Sequence, residues 1–82
     1  MTYTPDMIDE LNVLCLFNLS TTHEGIKVHS SAMPEKVAAT QRLYERGLVT
    51  QPDGGYLTGL GRDAATQAQN LLTILSTAPA TT

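Results

Sequence analysis

The sequence predicts a mainly α-helical domain with three main helices and one small β-hairpin. Two segments marked by proline, Thr4-Pro5-Asp6 and Met33-Pro34-Glu35, have the residue types that begin helices. Later in the chain, Pro52-Asp53-Gly54-Gly55 separates two strand-like runs, as a hairpin turn does. A length of 82 residues leaves room for one small domain.

The first helix is predicted to start at Thr4. Threonine caps helix N-termini, proline is favoured at the first helical position, and an acid in the first turn matches the helix dipole. From there to Leu19, apolar residues come to cover almost the whole circumference. Such a helix is buried on most sides. Since so short a chain has little else to cover it, we expect any exposed remainder to form a subunit interface.

The next segment, residues 22–29, fits two interpretations. Gly25 to His29 alternates apolar and polar residues with the period of a strand. Residues 22–28 also fit a short helix weakened by Gly25. We favour the short strand.

The second helix is predicted over residues 33–46, with Gly47 just after its end. A helical wheel divides it into an apolar side and an opposite, more polar side. The apolar side consists of Val37, Tyr44 and Leu48, with Leu43 flanking. The opposite side, which we expect to face outward, consists of Glu35, Ala39, Arg42 and Arg46.

The hairpin and the third helix complete the domain. Residues 48–50 and 56–58 are strand-like, and Thr58 is a capping residue for a helix that begins after it. Apolar residues from Leu60 to Leu75 fill an arc about half the circumference wide. No charged residue occurs from Ala64 to Thr82. This uncharged face is either a plain surface of small residues or a contact with a partner.

The second half of the chain carries a recognisable series of motifs. E-R-G-L-V ends the second helix, Y-L-T ends the hairpin, and L-G-R-D-A opens the third helix. The run from Thr40 to Leu75 resembles the winged helix-turn-helix domains of bacterial MarR-like regulators. In those domains a Leu-x-x-x-Gly-Leu-Val/Ile motif ends the recognition helix, and a Leu-Thr-x-x-Gly motif opens the helix after the wing. The matching residues here are Leu43, Gly47, Leu48, Val49, Leu57, Thr58 and Gly61.

The whole chain also resembles a small family of short bacterial proteins of unknown function, some of which are labelled as DNA-binding. This likeness is carried by G-I-K-V-H and T-Q-P-D-G-G-Y-L-T. Together the resemblances imply that residues 1–77 form a single winged-helix-like domain. Residues 78–82, which lack apolar periodicity, are expected to be a disordered tail.

The resemblance implies that the helix over residues 33–46 lies in the major groove of double-stranded DNA. Arginine suits guanine edges and glutamine suits adenine. The implied DNA-binding residues are Lys36, Thr40, Gln41, Arg42, Arg46 and Lys27. A positive patch forms if the lysines and arginines share one face while Asp6, Asp9 and Glu10 lie on the other.

Three features of the sequence weigh against DNA. The five Lys and Arg residues are outnumbered by eight Asp and Glu, for a net charge of -3, whereas compact nucleic-acid binders usually have a basic excess. The hairpin turn carries Asp53 and no base, although a wing that meets DNA usually offers Arg or Lys. The short helix that normally precedes the recognition helix has no clear counterpart in residues 22–28.

No residue pattern indicates catalysis or a cofactor. His23, Glu24 and His29 match no common metal-ligand spacing, and surface histidines near a turn explain them. Cys15, the one cysteine, is expected to be a buried small hydrophobe in a reduced, cytoplasmic environment. We therefore expect no enzyme, no metal, no cofactor and no membrane partner.

Two functions follow as hypotheses. The first is a small DNA-binding protein or transcriptional regulator, dimeric so that two weak half-site contacts add. The alternative is a winged-helix module that binds a protein partner through its acidic wing, apolar first helix and uncharged last helix. Fold alone does not distinguish them.

Overall fold

The computed structural model describes residues 1–77 as three helices and a three-stranded antiparallel sheet. In chain order these elements are α1 (Pro5–Leu14), β1 (Ile26–Lys27), α2 (Pro34–Glu45), β2 (Val49–Gln51), β3 (Gly54–Leu57) and α3 (Gly59–Ser76). The predicted fold class, mainly α-helical with a hairpin, is confirmed, and the arrangement is compatible with a winged helix. The expected tail, residues 78–82, lies outside the described residues.

Helix α1 begins where the sequence predicts but is shorter than its apolar pattern indicates. Thr4 caps its N-terminus, and the helix ends at Leu14 rather than near Leu19. The side-chain amide of Gln69 in α3 donates to the backbone oxygens of Leu14 and Phe17, at 3.3 and 2.8 Å. These carbonyls therefore bind α3 instead of continuing the helix. The apolar run does not need to be helical to be buried, because Phe17 enters the core from the loop.

The favoured strand within residues 22–29 is confirmed. β1 pairs antiparallel with β3, with Lys27 opposite Gly54, and β2 pairs with the other side of β3. The resulting strand order is β1-β3-β2. After β1, the N–H of Ala32 donates to the carbonyl of His29 in a single turn, and α2 follows. Within residues 1–77 no helix lies between β1 and α2, where a short helix would precede the recognition helix of a helix-turn-helix.

Helix α2 has the predicted extent, but the expectation that its polar side faces outward is wrong. Ala39 lies on that side and is fully buried in the core with Leu43. Arg42 and Arg46, on the same side, bind a residue of α1. Tyr44, which the wheel places on the apolar side, is instead exposed. The reason is that α2 packs on both α1 and the hairpin, and a wheel does not show which neighbours a helix will have.

One hydrophobic core joins all three helices to the sheet. Its buried members are Val13, Leu14, Phe17, Ala39, Leu43, Val49, Ala65 and Ala68. The first turn of α3 lies so close to the preceding chain that a Cβ at Gly61 would collide with the backbone oxygen of Leu48. Thr58 caps α3 as predicted, and its hydroxyl oxygen accepts from the N–H of Gly61 at 3.0 Å. Close packing therefore explains the glycine at position 61, the last residue of the Leu-Thr-x-x-Gly motif.

Candidate functional site

The predicted DNA-binding arginines are engaged by a buried carboxylate on α1. Glu10 has a side chain only 7% exposed, and Arg42 Nε donates to its Oε2 at 2.8 Å. Arg46 Nη1 donates to the other oxygen, Oε1, at 2.9 Å. Arg42 Nη2 also lies 3.8 Å from the carboxylate of Asp6. We call Glu10, Arg42 and Arg46 the α1–α2 charge cluster.

This geometry does not meet the condition for a positive patch, which required the arginines and the acids of α1 to lie on separate faces. The arginines and the acids of α1 meet, because a carboxylate that is buried needs ionised or hydrogen-bonding partners. The hydrogen bond to Glu10 raises the pKa of Arg42 above its ordinary value, burial opposes that rise, and the charge of Asp6 adds to it. Glu10 and Asp6 together carry two negative charges that offset the two guanidinium charges, so this region adds little positive potential outside the protein.

Thr40 also does not belong to a DNA-contacting surface. It is 0% exposed, and its hydroxyl donates to the backbone oxygen of Lys36 at 2.8 Å. A side chain with no exposed surface cannot touch a groove edge. Thr40 therefore acts as a core residue whose one polar group is satisfied within its own helix.

The remaining predicted residues, Lys27, Lys36 and Gln41, are exposed. Lys27 and Gln41 line a concavity of about 370 Å³ between α2, β1 and the hairpin turn, together with His29 and Asp53. Lys36 lies one turn before Thr40, at the N-terminal end of α2. In the part of the chain that the structure describes, neither lysine forms an ion pair. The structure therefore leaves Lys27, Lys36 and Gln41 available for contact with a partner, and Arg46, whose side chain is 58% exposed, stays accessible although it is paired with Glu10.

The third arginine of the chain is also engaged by the protein itself. Arg62 in α3 donates to the backbone oxygens of Leu19 and Thr21, at 2.7 and 3.3 Å. With the two bonds from Gln69, four hydrogen bonds from α3 hold this part of the chain, one at the last residue of α1 and three in the loop that follows it. The polar side of α3 is thus partly structural.

The last two turns of α3 carry an apolar surface that no other described element covers. The buried residues of α3 all lie in its first ten positions, ending at Ala68. Beyond Ala68, Leu72 is 52% exposed, Ile74 66% and Leu75 73%. Together with Leu71 these side chains span an arc of about 160° at 100° per residue. We call Leu71, Leu72, Ile74 and Leu75 the terminal stripe.

The terminal stripe runs into a groove between α1 and α3. This α1–α3 groove has a volume of about 370 Å³. Its lining residues carry no ionised group and are Tyr3, Leu11, Leu14, Ala64, Gln67, Ala68 and Leu71. Because Leu71 belongs to both features, the protruding stripe and the concave groove form one continuous surface.

A second apolar groove, between α1 and α2, has a different charge. It has a volume of about 290 Å³ and a floor that includes the exposed side chains of Leu16 and Met33. Asp9 and Glu35 lie at its rim with Lys36. The concavity beside the hairpin likewise includes Asp53. Of these three depressions, the α1–α3 groove is the one without a carboxylate.

The remaining reactive groups are the thiol of Cys15 and the side chains that could hold a metal ion. Burial raises the pKa of the half-buried Cys15 thiol, which lowers its thiolate fraction at neutral pH. Over residues 1–77, no three His, Cys, Asp or Glu side chains lie close enough together to hold a metal ion. In the same range no helix combines the length and the apolar character that crossing a bilayer requires.

Sequence reasoning missed Glu10, which organises both arginines. A signal was present, since Glu10 follows Asp6 by four residues and precedes the apolar run, and the arginines are also four residues apart. Such spacing places each pair on one helix face. It did not show that the two faces would meet, because that depends on how α1 and α2 pack.

Fold and surface together define a small, mainly α-helical protein, compatible with a winged-helix-like arrangement, with an apolar face that no other element of residues 1–77 covers. The chain belongs to a family of unknown function, DUF5669, whose model matches residues 1–76. No curated protein and no solved structure matches it.

Proposed function

We propose that this protein is a protein-interaction module that binds proteins through the terminal stripe and the α1–α3 groove. The observation that carries the proposal is the exposure of Leu72, Ile74 and Leu75 at the end of α3. Exposed apolar side chains that form one continuous patch are typical of interaction sites, whereas isolated ones need no explanation.

The positions of the cations support a protein partner over DNA. Affinity for DNA comes largely from Lys and Arg side chains that neutralise phosphates. Each of the three arginines already donates to an acceptor of the protein itself, so the accessible cations of this chain of net charge -3 are Lys27, Lys36 and the partly exposed Arg46. A partner that binds by apolar contact needs no such cations.

Site-specific photo-crosslinking tests this proposal. A benzophenone amino acid replaces Leu75 in the terminal stripe or, as the matched control, Thr73 on the opposite side of the same turn. We expect covalent protein adducts after irradiation in cells from position 75, and few or none from position 73. The adduct mass distinguishes a second copy of the chain from a different protein.

The result that overturns the proposal is equal crosslinking from the two positions or none from either. No crosslinking from either position would mean that the terminal stripe does not contact a protein. Equal yield from both faces would indicate random collision rather than a docking surface.

DNA binding at α2 is the second candidate, favoured by one observation. Lys27 and Gln41 share the concavity beside the hairpin, and Lys36 lies on the same helix as Gln41. If both lysines contact phosphate, log Kobs falls with log salt concentration with a slope of about -2, from roughly -0.9 per neutralised phosphate. That slope is much shallower than for a protein that makes many phosphate contacts.

An NMR titration of the 15N-labelled protein with a generic DNA duplex distinguishes the two candidates. At low salt, the protein-interaction proposal predicts no clustered amide shifts. Shifts that cluster on residues 36–46 and disappear at several times the salt concentration would instead favour DNA binding. Lys36→Ala would then weaken binding, and Thr40→Val would leave it unchanged because Thr40 has no exposed surface.

A further inference from the structure

We infer that the partner of the terminal stripe is a second copy of this chain, with the stripe of each copy seated in the α1–α3 groove of the other. This inference rests on the proposed function, since it names the protein that the apolar surface binds. Three features of the surface support it: its geometry, its charge and its size.

The geometry provides a protruding element and a receptor for it on one molecule. The terminal stripe projects beyond the last buried residue of α3, Ala68, and the α1–α3 groove adjoins it through Leu71. When a projection and a recess lie side by side, a two-fold rotation can place each projection in the opposite recess. Such an arrangement closes after two copies and leaves no free stripe for further assembly.

The charge favours a copy of the same chain at this surface. Two copies that each carry a net charge of -3 repel one another, so they are best joined where neither presents an ionised group. The terminal stripe and the α1–α3 groove meet this condition, whereas the α1–α2 groove has Asp9 and Glu35 at its rim. The one ionised acid of α3, Asp63, lies in the second turn, away from the stripe.

The size of the surface predicts a dimer that dissociates. A standard stable interface buries about 800 Å² per partner. The terminal stripe and the residues that line the adjoining groove comprise ten residues in all, fewer than the roughly 20–30 that a standard interface uses on each side. We therefore expect a dimer with a dissociation constant in the micromolar range, which salt does not weaken because no ion pair forms it.

Sedimentation equilibrium on the full chain tests this inference. Over a range of about 1 to 500 µM, which spans the affinities expected for a small interface, we expect the average mass to rise from one chain to two. The double substitution Leu72→Glu and Leu75→Glu should raise the dissociation constant at least tenfold. Thr73→Glu, on the opposite side of the same turns, should leave it unchanged.

A second variant tests the groove without altering the stripe. Gln67→Glu keeps the side-chain shape but places a carboxylate in the α1–α3 groove, so we expect weaker dimerisation that high salt partly restores. Because residues 67, 72 and 75 are all exposed, far-ultraviolet circular dichroism should show unchanged helicity in every variant.

The outcomes separate this inference from the proposed function. A wild-type chain that stays monomeric up to 500 µM, or a dimer that the stripe and groove variants leave intact, overturns the inference. A monomer that still crosslinks a different protein from position 75 leaves the proposed function standing. A monomer without any crosslink overturns both.

Discussion

The α1–α2 charge cluster and the terminal stripe are opposite cases of one rule about exposure. In the cluster, charged side chains that a helical wheel places outside lie between two helices, with Glu10 buried. In the stripe, leucines that continue the core-facing side of α3 lie outside, with Leu75 mostly exposed. The difference teaches that burial depends on where a neighbouring element lies, and that polarity alone does not determine it.

The two cases also differ in what they imply for function. An ion cluster around a buried carboxylate makes most of its interactions within the protein, so it offers less to a partner. An apolar stripe in water leaves its interactions incomplete, so a partner that covers it gains free energy. The functional prediction therefore moves from the arginines of α2 to the leucines of α3.

Truncation of one leucine in the core and one in the terminal stripe should give the largest difference in the free energy of unfolding. Leu43→Ala removes a side chain that is 1% exposed, and we expect a loss of about 2–5 kcal/mol in the free energy of unfolding. Leu75→Ala should change it by no more than about 0.5 kcal/mol in dilute protein. Urea denaturation at a few micromolar, a concentration chosen to keep the chain monomeric, measures both. Similar losses for the two variants would show that the stripe is covered within one chain.

Removal of the buried carboxylate should have the next largest effect. Glu10→Ala removes the acceptor that the two guanidiniums share, and we expect a loss of about 1–3 kcal/mol, less than for an uncompensated buried charge because Arg42 keeps Asp6 and Arg46 reaches solvent. Glu45→Ala, an exposed carboxylate on α2, is the control and should cost no more than about 0.5 kcal/mol. Equal effects would mean that the cluster is a solvated ion pair.

The smallest expected effect is a difference in reaction rate between a partly buried thiol and an exposed one. Cys15 should react with iodoacetamide several-fold more slowly at pH 8 than the thiol introduced by Leu75→Cys in a Cys15→Ala background. Burial raises the pKa of Cys15, so less thiolate is present, whereas an exposed thiol keeps a pKa of about 8.5. The gap in rate should narrow as the pH rises above both pKa values. Equal rates at pH 8 in dilute, freshly reduced protein would contradict the partial burial of Cys15.

Much of the fold could be predicted because its signals are local. The caps at Thr4 and Thr58, the glycine after α2 and the turn before Gly54 each depend on backbone hydrogen bonds or dihedral angles within a few residues. The end of α1 could not be predicted in the same way. It depends on Gln69, more than fifty residues later in the chain.

The candidate site was also harder to predict, because it depends on contacts between residues that are distant in sequence. Lys27 and Gln41 were expected on one surface, and they do line one concavity. Thr40, which stands directly before Gln41, was assigned to that surface; it borders the same concavity but is buried, with no exposed surface. Adjacent residues on a helix differ by about 100° in direction, so a small error in its orientation exchanges a core residue for a surface residue.

The sequence by itself determined the number and order of the helices, the hairpin, the helix caps and the uncharged second half of α3. These properties follow from short-range geometry and from residue type, which do not require knowledge of distant contacts. Only the tertiary structure decided that Arg42 and Arg46 meet Glu10, and that α3 continues past its last covering neighbour. The ion pairs and the exposed end of α3 both depend on how helices that are distant in sequence pack. Packing determines which side chains lose contact with water.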